Sequence, residues 1–368
     1  MRLVALFPEC RNIELVKDIC QIPYILGSEH QDIETAIVVS NRLDMNGINF
    51  QYVKGLSFIH TPMLFNNKDI SGAWYLVNHA KEIDWLTIYH CGRASFYEAM
   101  IYKRLNPKGK VYLKLDMDLC SCEKFDNDKW ERKLFQKNVD LVDLITVETQ
   151  LVKDRIQKYA SKEIYVVTDG YCKALREPNI LREREDAFVT VGRLGTKQKA
   201  TEVLMEAFAK SSAKHTWSLK LIGSIENEFN SVIDSFFERN PELKSRVTFL
   251  GEIAGREDLY NEYSKAKVFV LPSRWESFGI VGAEALACGC KLILTDQVAP
   301  YKEMTNYGKY GQIVTADDID ALAEAMVLMT KQDYSSMVSC ELSKYANEKF
   351  SWSVLCNQLY RLLMEHNG

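Results

Sequence analysis

The chain has 368 residues, 47% hydrophobic and 26% charged, with a formal net charge of -4. That length exceeds what one hydrophobic core usually supports and predicts two domains facing a cleft, and the composition excludes a disordered or fibrous protein. The small negative charge excludes the global basic field of a nucleic-acid binder.

Ten cysteines are scattered along the chain without small-scaffold spacing, which predicts reduced thiols in a cytoplasmic protein. The Cys120/Cys122 and Cys288/Cys290 pairs lack the two-residue gap of a structural zinc site and read as packing residues. The opening MRLVALFPECRN meets charge too early for a signal peptide, and no apolar run approaches the ~18 residues of a membrane span. Any membrane association is expected to be peripheral.

In chain order, apolar runs near 2 (RLVALF), 35 (TAIVVS), 85 (WLTIYH), 110 (KVYLKL), 144 (LITVET) and 164 (IYVVTD) alternate with helical-period segments. This is the pattern of a parallel α/β sheet. A polar, charged stretch from Thr168, DGYCKALREPNILREREDA, reads as an interdomain linker. A second series follows at 187 (AFVTVGR), 217 (WSLKLIG), 246 (RVTFLGE), 267 (KVFVLPS) and 291 (KLILTD), again with helices between. Ile319, Leu322, Met326 and Met329 share a helix face, and Ser351 is placed to cap a last helix bearing Leu355, Leu359 and Leu362. The expected fold class is α/β, with two Rossmann-like doubly wound domains over 1–178 and 184–348 and a C-terminal helix over 351–368 crossing back to the first.

The most informative stretch is VFVLPSRWESFGIVGAEALACGCKLILTD, which reads as strand, loop, helix, strand. Glu276 lies in the loop and Glu284 in a helix flanked by Ala283, Ala285, Leu286 and Ala287. A carboxylate in such a helix costs several kcal/mol unless donors meet it, and ribose hydroxyls would supply them. Between the acids, Ser277, Phe278, Gly279 and Ile280 form a loop in which Gly279 permits close backbone approach. The amides of Gly279 and Ile280 then sit at a helix N-terminus, where phosphate is favoured. Taken alone, the same two acids also fit an exposed helix Glu and a loop salt bridge.

The segment ESFGIVGAEALACG, with seven residues between its acids, resembles the signature of glycosyltransferase family four. VGRLGTKQKATEVLMEAFAK resembles that family's strand-turn-helix carrying an Arg and a Lys for the donor diphosphate, which fall on Arg193 and Lys199 after Gly192. LKLIGS and VTFLGEI resemble its base-side loops around Gly223, Gly251 and Ile253. The resemblance covers roughly residues 140–365. It implies a GT-B fold and a retaining, metal-independent transfer from a nucleoside-diphosphate sugar, with no cofactor and no metal site. It places Glu276 near the donor-sugar hydroxyls and Glu284 near the ribose. The implied partners are a nucleotide-sugar donor and a glycan or lipid-linked acceptor, with possible peripheral contact at the inner membrane face and no nucleic acid. Cleavage of a sugar-diphosphate bond develops charge on the leaving oxygens, and a forked Arg193 and a point-charged Lys199 suit it.

The first domain departs from that family. The glycine pair after the first strand is replaced by FPECRNIELVKDICQIPY, and the family's His near the donor sugar has no clear counterpart, leaving His90 and Asp116 as the residues to consider. Asp116-Met117-Asp118 also has the form of a divalent-cation triplet, although the donor-type motifs lie in the other domain. Lys17 and Asp18 read as a solvated helix face. Lys103, Arg104, Lys108, Lys110 and Lys114 form a basic segment that would suit anionic lipid headgroups. Competing readings are a sugar-nucleotide epimerase of the same fold and a non-catalytic nucleotide-sugar-binding partner of another transferase.

Overall fold

Runs dense in Val, Ile, Leu and Tyr pack well on a sheet covered on both faces, and each of the eleven above is a strand in the computed structural model, which describes residues 1–40, 47, 49–176, 179, 180 and 183–367. The chain divides into two units, Met1–Cys172 with Phe350–Gly368, and Lys173–Lys349.

Among the described residues, unit 1 holds seven parallel strands: β1 (Arg2–Leu6), β2 (Glu34–Val39), β3 (Ser57–His60), β4 (Trp85–Tyr89), β5 (Lys110–Lys114), β6 (Leu144–Val147) and β7 (Tyr165–Val166), in the order β3-β2-β1-β4-β5-β6-β7. Its helices are α1 (Asp18–Glu29), α2 (Lys68–His79), α3 (Arg93–Leu105), α4 (Leu119–Asn127), α5 (Lys129–Leu141) and α6 (Gln150–Ile156). Several start on side-chain caps: Asn67 accepts from the amides of Asp69 and Ile70, Asp128 from those of Trp130 and Glu131, and Thr149 from that of Val152.

Unit 2 holds six parallel strands: β8 (Glu185–Val191), β9 (Ser218–Ile222), β10 (Val247–Gly251), β11 (Ala266–Leu271), β12 (Lys291–Thr295) and β13 (Gly311–Val314), in the order β10-β9-β8-β11-β12-β13. Its helices are α7 (Thr201–Ser211), α8 (Asn230–Arg239), α9 (Arg256–Lys265), α10 (Ile280–Ala287), α11 (Tyr301–Met304), α12 (Ile319–Met329) and α13 (Ser336–Phe350). The strands β3 and β13, SFIH and GQIV, escape the sequence reading because each is a four-residue edge strand, with four and two of its residues respectively short of full burial.

The stretch read as a linker contributes two interior anchors. Asp169 is buried beside Lys114 in unit 1, and Arg184 is buried in unit 2, donating to Ser339 Oγ at 3.0 Å and to the Ala266 carbonyl at 2.7 Å. Glu177, Pro178, Leu181 and Arg182 of that stretch lie outside the described residues.

The last helix, α14 (Trp352–Glu365), packs on α1 in unit 1. Ser351 stands at its N-cap position, but the hydroxyl makes no capping bond, and its backbone instead bridges to Tyr171. Leu355, Leu359 and Leu363 of α14 are buried with Leu3, Leu26, Trp85 and Tyr112, while Leu362 is only partly covered. Leu359→Ala removes a fully buried side chain from this layer and should destabilise unit 1 by about 2 to 5 kcal/mol. Urea unfolding followed by tryptophan fluorescence measures it, and a loss under about 0.5 kcal/mol would contradict the packing.

Candidate functional site

Parallel strands place every loop that follows a strand on one edge of the sheet, and ligands in such folds collect where the strand order reverses. In unit 2 that reversal falls between β8 and β11. The loop after β8 carries Arg193 and Lys199, and the loop after β11 carries Glu276. They are stitched together: the Arg274 amide donates to the Gln198 carbonyl at 2.8 Å, its guanidinium donates to the Lys197 carbonyl at 2.7 Å, and Gln198 Nε2 donates to the Trp275 carbonyl at 3.1 Å. Lys199 Nζ and Glu276 Oε1 form an ion pair across the reversal. Glu276 Oε1 also accepts from Ser273 Oγ at 2.9 Å, and the backbone of Glu276 bonds to Gln297 and Ala299 in the loop after β12. This carboxylate is thus buried, paired and fixed in place. Arg193 is exposed and has no ion-pair partner among the described residues.

The neighbouring loops come close enough to demand glycine. Gly223 has φ +135°, and a Cβ there would lie 1.8 Å from the Gly192 carbonyl oxygen. The Gly223 amide donates to Gly251 and the Gly192 amide to Ile222, so the loops after β8, β9 and β10, including half-buried Ile253, form one continuous lip. Gly279, at φ +80°, turns the chain into α10, and its carbonyl accepts from the Gly282 amide at 2.8 Å, so the amides of Ile280 and Val281 are the ones that lie ahead of the helix ladder. Ser277 and Ile280 are half-buried and Phe278 buried beside it.

Glu284, buried on α10, finds its donors within the protein. It pairs with Arg256 at the start of α9, and Tyr263 OH donates to its Oε2 at 3.3 Å, while Arg256 also donates to Tyr260 OH at 3.0 Å. These protein donors stand beside the ribose hydroxyls expected from the sequence as partners for this acid. Arg256 was not singled out beforehand, because an Arg in the first turn of REDLYNEYSK reads as a surface charge until the fold brings α9 against α10.

In unit 1 the reversal falls between β1 and β4. His90 follows β4 with φ +60° and Asp116 follows β5 with φ +52°, left-handed backbone that is uncommon outside glycine, and their side chains approach to 3.8 Å. Behind them Lys114 is buried with its ammonium 2.8 Å from Asp169, 2.7 Å from Glu148 and 3.6 Å from Asp18. Burial works against the charge of Lys114, but these three acids outweigh it and raise its pKa. Burial raises Glu148 and Asp169 as well, so the surplus acid in the cluster favours retention of a proton. Glu148 accepts from the amides of Asp116 at 3.1 Å and Met117 at 3.2 Å, which fixes the strained turn. Asp116, Glu148 and Asp169 each bring an oxygen within 4.8 Å of the others, and the Lys114 ammonium is the cation among them. Asp118 is committed elsewhere, capping α4 through the Ser121 amide at 2.6 Å. The triplet therefore does not converge on one point. Asp18 belongs to this buried cluster and not to a solvated face. The basic segment is likewise no single patch: Lys114 is interior, and Lys103 is tied to Asp143 at 2.5 Å. A cavity of about 190 Å³ opens at the same edge, lined by Phe7, Glu9, Lys68, His90, Cys91 and Glu98.

Residues 185–332 match the family described as Glycosyl transferases group 1. They are a group 1 glycosyltransferase domain. Relatives include a glycosyltransferase of Methanocaldococcus jannaschii, 28% identical over 192 residues, covering 51% of this chain and 48% of that one. A lipopolysaccharide core biosynthesis mannosyltransferase of Rhizobium leguminosarum is 30% identical over 132 residues, 35% of this chain and 36% of that one. The chain spans about half the length of the first and about a third of the second. The crystal structure of Anabaena HepE in complex with UDP matches with a TM-score of 0.76 at 15% identity, covering 99% of this chain and 100% of that one. The fold is thus of GT-B type, with two Rossmann-like units.

The group 1 domain brings Lys199 and Glu276 into contact and sets the glycine lip and the α10 N-terminus on the same edge. Glu284 faces Arg256 one helix turn and more into α10. His90 and Asp116 lie outside the domain, together on unit 1. Among the described residues no helix is long and apolar enough to cross a membrane.

Glu98, in the wall of the unit 1 cavity, has its carboxyl pushed up to about 8 by burial, with Asp69 and Glu9 adding and Lys68 opposing. The folded state then holds this proton more tightly than the unfolded chain, whose carboxyl titrates near the ordinary 4.5. The resulting stability is fully present below about 4.5 and is lost as pH rises to about 8. Glu98→Gln should flatten that decline and exceed wild type in stability above pH 8. Thermal melts across this range check it, and parallel pH profiles for the two proteins would refute it.

Proposed function

We propose that this chain is a retaining hexosyltransferase that moves a sugar from a nucleoside-diphosphate sugar to a glycan or lipid-linked acceptor without a divalent metal, in the synthesis of cell-surface polysaccharide or glycoconjugate. The observation that carries the reading is the Lys199–Glu276 pair at the strand-order reversal of a group 1 domain, beside a lip that only glycine permits. A UDP complex of a protein of the same fold supports a nucleoside-diphosphate donor, and a mannosyltransferase relative supports a hexose.

In this reaction the bond between the anomeric carbon and the diphosphate breaks, and negative charge grows on the leaving oxygens. Arg193, exposed and unpaired among the described residues, is available to fork onto them. Lys199 adds a point charge, and the first-turn amides of α10 with the helix dipole add partial positive charge. When Lys199 turns to phosphate, Glu276 needs new donors, which the sugar hydroxyls supply. Glu284, oriented by Arg256 and Tyr263, takes the ribose hydroxyls. On unit 1, the His90–Asp116 pair is assigned to the sugar and acceptor side. A lipid-linked acceptor would place the protein at the inner face of the membrane.

NMR of the product anomer, with and without chelator, tests the reading. The donor configuration should be retained and the rate unchanged by chelation; an inverted product, or activity lost to chelator and restored by magnesium, would overturn it.

Lys199→Ala should lower kcat about a hundredfold, about 2.7 kcal/mol, with a smaller change in donor affinity, because charge on the leaving group peaks in the transition state. Arg193→Lys keeps the charge without the fork and should rescue only part of what Arg193→Ala loses. Saturation kinetics on folded variants measures both, and a Lys199→Ala turnover within about threefold of wild type would sink the diphosphate role. Calorimetry with the nucleoside diphosphate should show Glu284→Gln losing more affinity than Glu276→Gln, and the reverse order would exchange their partners.

A further inference from the structure

The outer side of α3 and α5 in unit 1 forms a groove of about 330 Å³ lined by Arg93, Phe96, Tyr97, Trp130, Lys133 and Lys137, with Leu134 at its floor. The lining contains no acid. Arg93, Lys133 and Lys137 are exposed, and none has an ion-pair partner among the described residues, although the chain as a whole is acidic. Aromatic rings hold two of these cations instead: the Arg93 guanidinium lies 4.7 Å from the Trp130 ring centre and the Lys137 ammonium 5.9 Å from that of Phe96. A cation over a ring keeps its full charge for a third partner, unlike one neutralised by a carboxylate. Tyr97 and Trp130 are also about half exposed, at 54% and 49%.

We propose that this groove binds an anionic saccharide chain. Exposed aromatic rings offer flat apolar faces to the C–H faces of pyranose rings, and the three cations pair with carboxylate, phosphate or sulfate groups along the chain. The saccharide assignment rests on the glycosyl-transfer reading above, while the anionic character rests on the groove alone. Arg93 is the first residue of α3, which begins just after β4. The groove therefore starts at the sheet edge that carries His90 and leads away from it, as a subsite for the body of an acceptor would. A broad anionic surface fits less well. The groove is a channel of about 330 Å³ between two helices with half-exposed rings in its wall, a shape that takes one chain laid along it and not a flat bilayer.

Calorimetric titration of the full chain with hexagalacturonate, maltohexaose and UDP, with sedimentation against vesicles of phosphatidylglycerol and phosphatidylcholine, tests this. Hexagalacturonate should bind with an affinity that falls with salt, and the neutral maltohexaose should bind at least about tenfold more weakly. Lys133→Gln with Lys137→Gln, and separately Tyr97→Ala with Trp130→Ala, should each weaken hexagalacturonate about tenfold or more, with melting temperature and UDP affinity unchanged. Equal affinity for the two saccharides, unchanged binding by both double variants, or vesicle binding without saccharide binding would overturn the proposal. Groove-dependent saccharide binding by a protein that does not bind UDP would leave the groove standing and remove the donor reading. UDP binding without saccharide binding would do the opposite.

Discussion

A parallel strand pair can be joined only by a crossover, and this constraint governs both units. Each returning chain brings its loop to the same sheet edge, so chemistry-bearing residues far apart in sequence become neighbours without any long-range signal of their own. Lys199 and Glu276 are 77 positions apart, yet they meet because β8 and β11 are adjacent where the strand order turns over. Backbone bonds between their loops, through Arg274 and Gln198, hold that meeting point independently of the ion pair itself. Unit 1 repeats the logic with His90 and Asp116 just after β4 and β5, and there the buried Lys114 cluster holds the turn.

Both acids of the signature have an internal cation in the protein alone: Lys199 for Glu276 and Arg256 for Glu284. Burying a carboxylate without a partner is costly, so these pairings keep the unliganded edge intact. In the proposed reaction the two differ. Arg256 is itself buried and aromatic-backed by Tyr260, so its bond to Glu284 persists and orients that carboxylate. Lys199 is more accessible and is shared, so the arriving diphosphate competes with Glu276 for one ammonium. Donor binding and release of Glu276 toward the sugar then become a single exchange.

The strands, their parallel pairing and the two-unit plan were readable because periodicity and apolar runs report burial directly. The acids at 276 and 284 were readable because an apolar helix around Glu284 makes a carboxylate conspicuous. What escaped was whatever depends on which elements become neighbours. Arg256, Asp18 and Asp169 carry no local mark distinguishing a buried charge from a solvated one, and Arg184 sits in a polar run whose composition suggests only a connection. The edge strands SFIH and GQIV are short and half-exposed, so their apolar signal is weak. Lys114 was grouped with a surface charge run for the same reason: its neighbours in sequence are basic, while its neighbours in space are acids.

The position of α14 also shapes how the protein is made. The helix that covers Leu3, Trp85 and Tyr112 is encoded after all of unit 2, a stretch of 177 residues from Lys173 to Lys349. At ribosomal rates of about 5 to 20 residues per second, the first sheet waits roughly 10 to 35 s for its last layer. During synthesis that face is an uncovered apolar surface on an otherwise complete sheet, so the oldest part of the chain is the last to bury its core.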